Sequence, residues 1–295
     1  MRALLWIILF AGLAAGAGWY LTLPGTGSSL DISQVPEDVE RGEMVFHAAG
    51  CASCHAAPEA DGEARLVLAG GKRFDTPAGA FYAPNISQDP EHGIGGWSRS
   101  QIVRAITEGV SPDNTHYYPA FPYASYAHAD VLDIVALADF LQTLPADPTP
   151  SRAHELGFPF NIRAGIGLWK RVGIQPGWAV ETGGDPAVER GRYLAEALGH
   201  CGECHTPRNF AQALDRERWF AGAPNPSGRG GIPNITPAKL DWSRADIAAY
   251  LKDGFTPDFD VAGGSMRDVV TSLSNLPDSD LDAIAAYVKA VPPAE

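Results

Sequence analysis

The only four cysteines of this 295-residue chain fall in two matching settings, Cys51-Ala52-Ser53-Cys54-His55 and Cys201-Gly202-Glu203-Cys204-His205. Two thiols three positions apart, followed at once by an imidazole, suit one chemical use closely. The sulfurs can add to the vinyl groups of a haem as thioethers while the histidine swings beneath the ring to ligate iron. The same pairs could instead build a four-cysteine zinc site, a thioredoxin-like redox centre or structural disulfides. None of these explains a histidine after both pairs, and the pairs lie 150 residues apart. The residues therefore predict two covalently bound haem c groups, held by Cys51, Cys54, His55, Cys201, Cys204 and His205, with His55 and His205 on iron.

The elements that must position these motifs repeat along the chain. Arg41-Gly42 and Arg190-Gly191 each open a helix that delivers the cysteines, Pro84-Asn85-Ile86 is matched by Pro233-Asn234-Ile235, and Trp97-Ser98-Arg99 by Trp242-Ser243-Arg244. After each tryptophan, apolar residues recur at helical spacing until Gly109 or Gly254, where the helix should stop. Each half closes with an amphipathic helix, about 129–144 and 278–291, followed by proline. The repeat also points to the far side of each haem. Met266, in Gly263-Gly264-Ser265-Met266, is the one methionine besides Met1 and Met44, and it sits in a polar, glycine-rich stretch where core packing is an awkward explanation. It is expected to be the sixth ligand of the second haem. The offset of 145 that relates the two tryptophans carries Met266 back to Phe121, so the first haem lacks the matching thioether. His116, five positions earlier in the same loop, is the nearest candidate metal ligand, followed by His128 and His92; Met44 lies on the delivering helix and is poorly placed.

The length allows about two domains, and the expected boundaries are a membrane anchor or signal at 1–30, one haem domain at 31–147, an intervening segment at 148–184 and a second haem domain at 185–295. From Ala3 to Leu30 the chain carries no charge, which is long enough for a single transmembrane helix; a cleaved signal peptide is the alternative. Arg2 would keep the N-terminus cytoplasmic, with Trp19 and Tyr20 at an interface. The segment after Pro145 is aromatic and basic, with Phe158, Phe160, Trp169, Trp178, Arg163, Lys170 and Arg171. That composition suits packing between the haem domains or, less readily, lying on an anionic membrane. A net charge of −13 excludes a nucleic-acid partner and favours basic protein surfaces. No phosphate loop or nucleophile motif is present. Trp97 and Trp242 read as core, His47 as structural and His200 as exposed.

The order of helix, thiol motif, loop, helix, ligand-bearing loop and closing helix resembles that of small c-type cytochromes. More closely, Leu68-Ala69-Gly70-Gly71, Phe81-Tyr82-Ala83-Pro84-Asn85-Ile86, Gly93-Ile94-Gly95-Gly96-Trp97-Ser98 and Tyr118-Pro119-Ala120-Phe121-Pro122-Tyr123 resemble the haem-bearing subunit of membrane-bound alcohol, aldehyde and sugar dehydrogenase complexes, from about Val39 to Pro292. Many of those subunits carry three haems; two motifs stand here. The resemblance implies a mainly α fold, two tandem small helical cytochrome c domains after one N-terminal transmembrane helix. It also implies that the Pro84 and Pro233 carbonyls orient the proximal imidazoles, and that the 121 slot can hold methionine. The implied function is electron transfer from a periplasmic or membrane-bound dehydrogenase to a quinone, soluble cytochrome or terminal oxidase. The chain would sit in the cytoplasmic (inner) membrane, single-pass, with its haem domains in the periplasm. Methionine ligation raises a haem potential, so haem 1 is expected to be the low-potential centre that receives electrons and haem 2 the one that passes them on. An enzyme acting on peroxide or a sulfur oxyanion at haem 1 is the alternative, and a sensor a weaker one.

Overall fold

A computed structural model of the chain describes residues 2–25, 31–228 and 230–295. Helix α1 (Arg2–Thr22) comes first, and its stretch Leu4–Thr22 is long and apolar enough to cross a bilayer. The end of the expected anchor segment, residues 26–30, lies outside the described residues.

Each half is then assembled by the same local rules. In the first, Asp38 caps α2 (Val39–Ala48) by accepting the Arg41 amide, and α2 leads into the short α3 (Cys51–His55). Helix α4 (Arg99–Glu108) opens on a reciprocal capping box between Ser98 and Gln101, stops at left-handed Gly109, and is followed by α5 (Tyr123–Tyr126) and α6 (Val131–Leu141). Between the halves runs α7 (Gly165–Gly173). In the second half α8 (Pro186–Arg192), with Asp185 as cap and proline at its first position, continues as a π-helical turn over Tyr193–Leu198 into α9 (Gly202–His205). Helix α10 (Arg244–Asp253) repeats the capping box with Ser243 and Asp246 and stops at left-handed Gly254; α11 (Ser265–Leu273) and α12 (Asp278–Ala290) complete the chain.

The closing helix of each half crosses the opening one with backbone against backbone. A Cβ built on Gly42 would stand 2.0 Å from the Ala136 carbonyl oxygen, and one on Gly191 would stand 1.8 Å from that of Ala283. Beside each crossing lies an ion pair, Arg41 with Asp133 and Arg190 with Asp280. Helix α6 is buried on nearly every side, so both its carboxylates are paired, Asp139 with Arg99 at 2.6 Å. Val45, Phe46, Ile134 and Leu137 fill the first crossing, and Leu194, Leu281, Ile284 and Tyr287 the second, in one continuous core.

Small sheets flank the helices. Strands β1 (Arg73–Thr76) and β2 (Gly79–Tyr82) form a hairpin that β3 (Glu155–Leu156) extends, pairing Gly79 with Leu156 and Ala80 with Glu155. In the second half β4 (Ala223–Pro224) and β5 (Gly231–Ile232) make the corresponding hairpin, with no third strand among the described residues. The segment between the halves bonds to both. It gives β3 to the first, while Trp169 Nε1 donates to the Ala211 carbonyl and the Ala179 amide to Glu196 of the second.

Candidate functional site

The two thiol motifs share one geometry. His55 Nδ1 lies 2.9 Å from the Pro84 carbonyl oxygen, and His205 Nδ1 lies 2.9 Å from that of Pro233. A carbonyl only accepts, so each Nδ1 carries the proton and each Nε2 is left with a lone pair for a metal. Proline cannot donate at this position, and the asparagine after it fixes the turn. Asn85 Oδ1 accepts the Ser87 amide at 2.8 Å and Asn234 Oδ1 that of Thr236 at 2.8 Å, while their amide nitrogens reach the chain beyond the closing helix, at Asp147 and Thr149 or at Ala294.

A glycine loop is wedged between each histidine and its proline. Gly70 donates to the His55 carbonyl at 2.7 Å and Gly222 to that of His205 at 2.8 Å, both with positive φ; a side chain on Gly70 would meet Pro84 backbone at 2.5 Å and one on Gly222 would meet Asn234 backbone at 2.8 Å. The four thiols are unpaired. Burial pushes Cys51 and Cys201 up to about 12, and raises Cys54 as well, with Cys204 of the other motif close enough to add to the effect. Among the described residues no group of three or more His, Cys, Asp or Glu side chains converges on a metal position. The four-cysteine zinc reading therefore has no geometric support. Two neutral thiols beside an imidazole with a free Nε2 fit a haem attached by thioethers.

The opposite walls can be compared bond by bond. In the first half Ser111 donates to Thr115, Asn114 to Ser111, Tyr117 to Gly109 and Phe121 to Tyr118; in the second Thr256 donates to Asp260, Phe259 to Thr256, Ala262 to Gly254 and Met266 to Gly263. Every pair is offset by 145, so the backbone sets Phe121 where the other half has Met266. Met266 occupies the first turn of α11, partly buried against the core. Phe121 packs among Tyr117, Tyr123 and Tyr126. His116 falls in the Val261 position, buried, its Nε2 2.9 Å from the Thr22 carbonyl and its Nδ1 without a hydrogen-bond partner among the described residues; burial lowers its pKa. His128 lies against Trp178 and Met44 against the core.

The surfaces over these loops differ. Val110 and His116 are buried beneath α7 and the end of α1, where Lys170 Nζ reaches the Gly109 carbonyl at 2.8 Å and Arg163 reaches that of His116 at 3.3 Å. Their counterparts Phe255 and Val261 are 55% and 57% exposed, and Phe259 beside them 91%.

Sequence reasoning missed how the two sites meet. Ser53, inside the first motif, donates to the Asp268 carbonyl at 3.0 Å and pairs with Ser272 at 3.1 Å, both on the helix that carries Met266. Lys72 ties the same point by bonding the Ser53 carbonyl and the Asp268 carboxylate at 2.7 and 2.6 Å. His200 is a correction: it is half-buried at the junction, edge-on to Tyr126 of the other half, with a left-handed φ of +40°. Tyr126 in turn donates to the Ala49 carbonyl. Trp97 and Trp242 pack on the core, and His47 is half-buried edge-on to Phe46.

Residues 39–145 match the Cytochrome c family. Over 283 residues the chain is 56% identical to a "Diheme cytochrome c-type" protein of Cereibacter sphaeroides, covering 96% of each. It is 39% identical to the fructose dehydrogenase cytochrome subunit of Gluconobacter japonicus, over 86% of this chain and 52% of that one. With the cytochrome c subunit of alcohol dehydrogenase (quinone) from Gluconobacter oxydans it shares 32% identity, over 95% of this chain and 60% of the other. The chain thus spans nearly all of the first relative and little more than half of the other two.

Proposed function

Because this chain belongs to the c-type cytochromes, we propose that it is a two-haem electron carrier between a substrate dehydrogenase and a respiratory acceptor. Cys51 and Cys54 would hold one haem with His55 on its iron. Cys201, Cys204 and His205 would hold the other, with Met266 as its sixth ligand. When bound, each haem supplies one-electron chemistry at iron. The chain's own part is to orient each imidazole through a proline carbonyl, to bury the attachment and to fix two sites against each other. The observation that carries the reading is the duplicated 2.9 Å bond from Nδ1 to a proline carbonyl, which leaves both Nε2 atoms available.

The relatives named as cytochrome subunits of fructose and alcohol dehydrogenases support a dehydrogenase as donor and a carrier's role over a small-substrate enzyme. A quinone, soluble cytochrome or terminal oxidase would accept. Helix α1, apolar over Leu4–Thr22, supports a single-pass anchor in the cytoplasmic membrane with both haem domains in the periplasm. The exposed Phe255, Phe259 and Val261 beside the Met266 helix offer an apolar contact to the protein that takes the electron from the second haem.

For the first haem His116 would be the candidate sixth ligand, through its Nδ1, which has no hydrogen-bond partner among the described residues, or through Nε2 on release from Thr22; without it His55 alone would hold the iron. Either arrangement lacks a thioether, and so places haem 1 at the lower potential and at the receiving end.

The test is the mature chain from a host able to attach haem. Two haems by mass and haemochrome assay, one lost in C51A/C54A and the other in C201A/C204A, support the reading; a mass equal to the bare polypeptide ends it. Electron paramagnetic resonance of the ferric protein then separates His116 ligation, with two low-spin signals, from an open position, with one high-spin signal. A titration in which the haem lost in C201A/C204A has the lower potential would reverse the proposed direction.

A further inference from the structure

We propose that the segment 157–173, with α7 at its end, is an interfacial element that lays the first haem domain against an anionic lipid surface. This rests on α1 being a membrane anchor. Three observations converge on it.

The first is charge. The chain carries −13 overall, yet from Leu156 to Val180 there is no Asp or Glu, while Arg163 and Arg171 are present and exposed. The second is the face that α7 leaves uncovered. Leu168 and Val172, four residues apart and therefore on one side of the helix, are 46% and 58% exposed. The loop before α7 adds Phe158, 81% exposed, together with exposed Phe160 and Ile162. The inner side of α7 is spoken for: Trp169 bonds the Ala211 carbonyl, and Lys170 bonds the Glu108 and Gly109 carbonyls. An outward face of large apolar side chains edged by arginine is the pattern of a helix lying in the headgroup region.

The third is continuity with α1. Gly167 packs directly on the last turn of the apolar helix, where a Cβ would stand 2.3 Å from the Thr22 carbonyl oxygen, and Arg171 donates to the Leu21 carbonyl at 3.3 Å. His116 also bonds Thr22, and Arg104 donates to the Gly25 carbonyl at 2.7 Å. If Leu4–Thr22 spans the bilayer, these bonds hold α7 at the level where the span ends, which is where headgroups begin. A protein partner could also cover apolar side chains, but the bonds to the end of α1 commit the segment to the lipid.

The test uses the full haem-loaded chain in vesicles of phosphatidylcholine containing phosphatidylglycerol. A photoreactive p-benzoylphenylalanine is placed singly at Phe158, Phe160, Phe10 and Phe259. The expected result is lipid adducts at 10, 158 and 160, with yields at 158 and 160 about tenfold above that at 259, and lower yields when phosphatidylglycerol is omitted. Adducts at 10 with only background at 158 and 160 overturn the proposal and leave the anchor standing. Background at 10 as well removes the anchor and the proposal together. Adducts to a co-reconstituted dehydrogenase subunit instead of lipid at 158 and 160 assign the face to a protein and also overturn it.

Discussion

Replacing Gly42 or Gly191 by alanine adds one methyl group, and the structure states what that group meets. On Gly42 it would lie 2.0 Å from the Ala136 oxygen and 2.8 Å from Phe140 Cβ; on Gly191 it would lie 1.8 Å from the Ala283 oxygen and 2.8 Å from Tyr287 Cβ. Reaching ordinary contact requires the two helices to part by well over an ångström. The obstacle is a backbone carbonyl inside a helix, which cannot rotate aside. Parting opens the layer formed by Val45, Phe46 and Ile134 or by Leu194 and Ile284, and overpacking of this kind costs about 1–3 kcal/mol, here taken at the upper end. Alanine returns about 1 kcal/mol through its helix preference. The net loss is about 2 kcal/mol per site, or roughly 4–8 °C in melting temperature for a unit of this size. The assay is thermal unfolding of the haem-loaded protein in detergent by far-ultraviolet circular dichroism, with Gly165→Ala, which meets nothing within 4 Å, as control. Adding Ala136→Gly should not rescue Gly42→Ala, because the clash is with an oxygen that every residue carries. Melting within about a degree of the parent in both single variants would refute the crossing geometry.

Three further outcomes are expected. Phe121→Met should place a thioether where the backbone matches Met266; it should give the first haem a sulfur-to-iron charge-transfer band and raise its potential by about 59 mV for each tenfold preference of sulfur for ferrous over ferric iron, and an unchanged redox titration would count against the alignment of the two loops. Met266→Ala should abolish that band in the parent protein and open the second haem to carbon monoxide, read from the optical spectrum of the reduced protein. Glu196 has its pKa raised by burial, opposed by hydrogen bonds from the Ala179 amide and Tyr287. The folded state thus holds this proton more tightly than the unfolded chain. Its favourable contribution is full below the unfolded value and is lost as pH rises through the folded one. Glu196→Gln should therefore gain stability relative to the parent as pH rises across that window, by at most about 1.4 kcal/mol per pH unit, and a pH-independent difference in denaturant midpoints would contradict it.

Much of the site was legible in the sequence because its determinants are local. The thiol motifs, the Ser98 and Ser243 caps and the Gly109 and Gly254 stops depend on neighbours a few residues away, and they carry the repeat intact into the fold. The histidine bonds to Pro84 and Pro233 were open to inference from a resemblance, since their geometry follows from a fixed loop. Contacts between distant segments left no such trace. Strand β3 is a dipeptide recruited more than 70 residues after its partner, and Glu155-Leu156 has no strand pattern of its own. The bonds of Ser53 to α11 join residues more than 200 positions apart through groups common on any surface. His200 read as exposed because its burial is created only when the two halves meet at Tyr126.

That meeting also limits what the molecule can become. A duplicated gene usually leaves modules that can be separated, shuffled or lost one at a time. Here the helix bearing Met266 is rooted through Asp268 on Ser53 and Lys72 of the other repeat. Severing the halves would strip a hydroxyl and an ammonium partner from the wall of the second site while exposing the base of the first. The two repeats are therefore coupled, and a change at Ser53 or Lys72 would be felt at the helix that carries Met266.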